Sequence, residues 1–140
     1  MPQDPPVTVT RQLDARMLLP DTTHVDFLAQ LSYDSMDPYA VTATFLCGDG
    51  LDVDWVLARD LLADGLRRPA GDGDVILRPS TGQASTEVEL ILSAPNGQAL
   101  LSLPKDGLAA FLRASHHEVP PGTESERLDV DAALAQILSN

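Results

Sequence analysis

Histidine, cysteine and clustered carboxylates are the side chains with which this chain could do chemistry. His116-His117-Glu118 sets two imidazoles beside a carboxylate. Neighbouring residues on a helix point about 100° apart, so these histidines do not share a ligand face as an i, i+4 pair would. A helix C-terminus favours histidine, and that suffices to explain them. His24, the only other histidine, is far away in sequence. Asp49, Asp52 and Asp54 suggest a calcium loop but lack its twelve-residue spacing and closing glutamate. Turn formation and helix capping account for them. Cys47 ends an apolar strand face with no histidine nearby, which reads as a buried thiol rather than a nucleophile. Gly-x-Ser-x-Gly, glycine-rich phosphate loops and the dinucleotide fingerprint do not occur. The residues therefore predict no catalytic set, no metal and no cofactor.

Charge narrows the partners. The chain has 140 residues and a formal net charge of −12, which repels phosphate backbones and anionic membrane surfaces. Arg67-Arg68 is the one basic doublet, with Arg78 not far off, and the six aromatics fall mostly on expected core faces. A single-strand groove needs more basic and stacking residues than that. No apolar run reaches the ~18 residues of a membrane span, and Met-Pro-Gln-Asp-Pro-Pro has no signal-peptide character. One cysteine excludes an internal disulfide. The expectation is a cytoplasmic protein without direct membrane insertion.

The elements that must position these residues follow from periodicity. Residues 1–6 hold three prolines and read as a loose arm, leaving 7–140 as a single domain. Alternation predicts strands over 7–18, 24–33 and 39–47. The run 53–66 carries the only tryptophan and reads as a central helix. Trp55, Leu57, Ala58, Leu61 and Leu62 face a sheet, Arg59, Asp60 and Asp64 face outward, and Val56 is an odd apolar residue on the polar side. Asp54 is its expected cap, and Gly65 its left-handed terminator. Strands follow at 74–78, 87–93 and 98–103, the last two joined by Pro95-Asn96-Gly97. Residues 80–85 read as a hairpin tip. Leu108, Phe111, Leu112 and Ser115 mark a second helix after Pro104. Val130, Leu134, Ile137 and Leu138 mark a short C-terminal helix capped by Asp129 or Asp131. The class is α+β: two antiparallel-sheet-plus-helix halves and a short C-terminal helix.

Several segments carry a family resemblance, in order along the chain: Asp37-Pro38-Tyr39-Ala40-Val41, then 55–62, then Gly65-Leu66-Arg67-Arg68-Pro69 with Gly73-Asp74-Val75. Gly97-Gln98-Ala99-Leu100-Leu101, Val119-Pro120-Pro121-Gly122-Thr123-Glu124 and the tail Leu128-Asp129 with Leu134 and Ile137-Leu138 continue it. Over about residues 7–139 the sequence resembles the SsgA-like regulators of sporulation-specific cell division in actinobacteria, most closely the SsgB type. The resemblance implies a non-enzymatic protein at the division septum that helps choose septum sites and recruits the tubulin-like FtsZ. It implies contact with other SsgA-like proteins, a Whirly-like fold, and a homo-oligomer, with a trimer first and a dimer next. Whirly-like proteins bind single-stranded nucleic acid, which makes such a module the alternative reading, although fold does not fix function.

The expected partner surface combines apolar contact with charge. Val56, Arg59 and Asp60 on the outer side of the central helix, Leu66 at its end, and Pro38 and Tyr39 before the third strand are its candidate residues.

Overall fold

The computed structural model describes residues 6–48, 50, 52–81 and 86–127. Seven strands form one antiparallel sheet: β1 (Thr8–Leu18), β2 (His24–Asp34), β3 (Ala40–Leu46), β4 (Val53–Ala58), β5 (Val75–Pro79), β6 (Glu87–Ala94) and β7 (Gly97–Pro104). Three helices accompany them: α1 (Arg59–Gly65), α2 (Lys105–Glu118) and the single turn α3 (Glu124–Arg127).

The spatial order is β4-β3-β2-β1-β7-β6-β5. The two runs of strands read from the sequence are therefore not two sheets. Leu18 opposite Leu100 and Arg16 opposite Ser102 join β1 to β7, which fuses them into one. The α+β class stands, with one sheet where two were expected. The expected C-terminal helix and most of the 1–6 arm lie outside the described residues.

Alternation decides what each face does. Leu13 and Ala15 of β1, Ala29, Leu31 and Tyr33 of β2, and Val41, Ala43 and Phe45 of β3 are buried on one face, with Val88, Leu90, Leu92, Leu101 and Leu103 across β6 and β7. Helix α2 lays Leu108, Phe111, Leu112 and Ser115 on that face. With three phenylalanines and one tryptophan in the whole chain, this core is built mostly of leucine, valine and alanine, with Tyr33, Phe45 and Phe111 among them. The other face carries Thr10, Gln12, Gln30, Thr42 and Thr44 toward solvent, in register across β1, β2 and β3. Apolar residues interrupt it: Leu18 and Leu28 are exposed there.

The central segment departs from expectation. Residues 53–58 are a strand, paired Thr42 to Val56 and Ala43 to Trp55. A short apolar run fits helical and strand periods alike, and here β3 supplies a hydrogen-bonding edge that β-branched valines and an aromatic ring suit. Asp54 is thus a strand residue, and α1 starts after Ala58 with no side-chain cap. Gly65 does end α1, but without a left-handed φ. Its function is close approach: a Cβ there would stand 2.6 Å from Leu77 of β5. At seven residues α1 is too short to persist alone and depends on this contact.

Candidate interaction surface

Arg59 opens α1, and the structure corrects its placement on the outer surface: it is 1% exposed. Moving the helix start from Asp54 to Arg59 turns this side chain inward. Its Cζ sits 4.8 Å from the centre of the Tyr33 ring, a cation–π contact. Nη1 donates to the Val119 carbonyl at 2.8 Å and to the Ser115 carbonyl at 3.2 Å. Both carbonyls belong to the end of α2, where the helix dipole favours a cation. Nη2 lies 3.0 Å from Glu124 Oε2, a buried ion pair. One guanidinium thereby ties β2, α1, α2 and α3 together.

The cluster sets the charge states around it. The backbone amide of Glu124 itself, then the Arg59 guanidinium and the Gly122 amide, hold the Glu124 carboxyl below its ordinary range against the opposing effect of burial. Burial and then the Arg59 charge hold His116 below the usual histidine value, with Asp60 and Glu124 pulling the other way. His116 and His117 fall in the last turn of α2, as their position in the sequence implies.

The remaining candidates separate. Pro38 is buried, and its carbonyl accepts from the Tyr33 hydroxyl at 2.9 Å. Tyr39 is exposed, while its carbonyl receives the Arg59 amide at 2.8 Å. Asp60 is exposed at the start of α1. Val56 is 67% exposed on the solvent face of the sheet, the highest value among the exposed large apolar residues. Leu66 is half-buried in a groove between α1 and α2, on the helix side. Val56 and Leu66 therefore belong to opposite faces, and the six residues form no single patch. Cys47 is exposed, contrary to its reading as a buried thiol, because β3 ends at Leu46.

Among the described residues no group of histidine, cysteine and carboxylate side chains is gathered tightly enough to hold a metal ion. No helix among them is long and apolar enough to cross a membrane. The sequence missed Arg59 as a hub because its partners are 26 to 65 positions away, from Tyr33 to Glu124. The only available signal lay in the resemblance: Pro38-Tyr39, Arg59 and Val119–Glu124 come from three of its quoted segments and meet here.

The class defined so far is an acidic α+β domain whose buried charge serves the fold. Residues 27–124 match the family model described as "Streptomyces sporulation and cell division protein, SsgA", and the chain belongs to that family. It is 45% identical over 132 residues to the sporulation-specific cell division protein SsgB of Streptomyces coelicolor, covering 94% of this chain and 96% of the relative. The protein of the same description from Thermobifida fusca is 38% identical over 132 residues, covering 94% and 96%. A solved SsgA-like sporulation-specific cell division protein from Thermobifida fusca superposes with a TM-score of 0.87 at 36% identity, covering 96% of this chain and 98% of that one. An SsgB structure connected with longitudinal cell division during sporulation of Streptomyces coelicolor gives 0.84 at 42% identity, covering 91% and 100%.

Proposed function

We propose that this chain serves sporulation-specific cell division as a non-catalytic adaptor, helping to position the septum by recruiting FtsZ through protein–protein contacts in the cytoplasm. The observation that carries this reading is the end-to-end likeness, at 45% identity, to a protein named for sporulation-specific division. Val56, Tyr39 and Asp60 are exposed and each available for contact, whereas Arg59 is buried. A homo-oligomer, trimer first, accompanies the reading, together with contacts to other SsgA-like proteins. Its support is the open outer face with Leu18 and Leu28 exposed and the two sheet edges at β4 and β5. The charge of −12 counts against the single-stranded nucleic-acid alternative.

The test is restoration of sporulation septa by this chain in a Streptomyces coelicolor strain lacking its SsgB, with FtsZ ladders imaged in the same hyphae. Restored ladders support the reading. Normal protein levels without ladders contradict it.

A further inference from the structure

Two of the nine basic residues, Arg67 and Arg113, line a groove where α1 and α2 meet, and Arg68 follows Arg67 in sequence. The others are used elsewhere or dispersed: Arg59 is buried against Glu124, Arg16 approaches Asp26, and Arg78 holds Glu89 at 2.8 Å. Among the described residues neither Arg67 nor Arg113 has a carboxylate within ion-pair distance, although the chain carries 21 carboxylates. Arg68 reaches Asp64 only at 3.9 Å across exposed side chains, a pair that contributes little.

The groove that Arg67 and Arg113 line holds about 230 Å³. Ala63 and Leu66 at the α1 end and Ala109 and Leu112 of α2 give it an apolar floor, and Arg67, Arg113 and His116 complete its lining. The two alanines explain the groove: small residues at a helix–helix contact leave room that leucines would fill. The floor is apolar and narrow, and the walls are cationic on a molecule that is otherwise strongly anionic.

We infer that the α1/α2 groove is a docking site for an acidic protein segment, one that seats a leucine-sized side chain between Ala63 and Ala109 and pairs flanking carboxylates with Arg67 and Arg113. Charge complementarity selects this occupant. A phosphate strand would meet the same arginines but would leave the apolar floor unused. A carboxylate-flanked apolar side chain uses both, with arginine's planar head suited to carboxylates and its stem to apolar contact. The site goes beyond septal recruitment, since it specifies the chemistry of a segment rather than the protein that carries it.

The test is a fluorescence-anisotropy titration of the full chain into a labelled nine-residue peptide with one central leucine flanked by aspartates and glutamates. The same peptide with asparagine and glutamine for the acids, and a nine-nucleotide single-stranded DNA, run alongside. The parent should bind the acidic peptide at least tenfold more tightly than either control. R67E with R113E together should weaken that binding at least tenfold. Both side chains are exposed, so melting temperature should hold. A109L fills the floor, leaves both arginines in place and should weaken binding as well. Equal binding by parent and charge-reversed protein, absence of peptide binding by the parent, or preference for the DNA would each overturn the proposal. The titration contains no division protein, so its failure and that of septal recruitment are separate results.

Discussion

Arg59 shows how one side chain can carry a fold. Removing one partner of a buried ion pair leaves the other charge uncompensated, which costs more than the pair itself is worth. Arg59→Met should therefore lower stability by about 3–5 kcal/mol, measured by urea denaturation, and α2 should fray at Ser115–Val119 in hydrogen exchange. A loss below about 1 kcal/mol would mean that the guanidinium contributes no more than an exposed pair. The same residue limits mutational reading of the surface, because Arg59→Glu disturbs the core before it reports on any partner.

Glu124 makes this cluster sensitive to acid. Its carboxyl titrates below the ordinary value of 4.5, so the folded form binds its proton less readily than the unfolded chain. The contribution is present above that value and disappears as the pH falls through the lowered one. Glu124→Gln should melt lower than the parent at neutral pH, and the two curves should converge as the pH falls through that lowered value. A gap that stays constant down to acid would show that the ion pair is not its source. None of this could be read locally: Arg59 stands in a run whose helical wheel places it outward, and only the start of α1, set by β4, turns it in.

At the scale of elements, the strands were legible and the junction was not. Four of the seven follow from alternation because one sheet face is buried and the other wet, so a period of two is written directly into side-chain type, and β5 and β7 follow from the breakers and the turn beside them. The hairpin at Pro95-Asn96-Gly97 and the stripe of α2 were equally plain, since turn chemistry and i, i+3, i+4 spacing are local. Residues 53–66 mixed a strand and a helix in one apolar run, and the boundary depends on β3 and β5, which local sequence does not contain. Two variants weigh this junction. Gly65→Ala should cost about 1–3 kcal/mol by overpacking Leu77, although alanine is the better helix former. Trp55→Ala, on a half-buried edge-strand position, should cost about 2 kcal/mol, less than a fully buried ring. A neutral Gly65→Ala in thermal denaturation would show that α1 and β5 are not in close contact.

On the scale of the whole molecule, the α+β class and the family were legible, because they rest on composition and on segments spread along the chain. The fusion of two strand runs into one sheet was not, since β1 and β7 are joined by a pairing between residues about 80 positions apart, Leu18 with Leu100 among them. That fusion leaves a broad outer face with Val56 at one edge. Val56→Asp should change stability by no more than about 1 kcal/mol, so its effect on assembly or on a partner can be read cleanly. Light scattering decides between them: a fall to monomer mass places Val56 in a subunit interface, and an unchanged mass with lost partner binding places it in the adaptor surface.

The adaptor claim is tested most directly by co-sedimentation of the purified full chain with FtsZ polymers in GTP, at physiological salt. The account predicts that the chain pellets with polymer in a saturable manner and stays in solution when GTP is withheld. A chain that remains in the supernatant beside assembled FtsZ, while folded by circular dichroism, would contradict it.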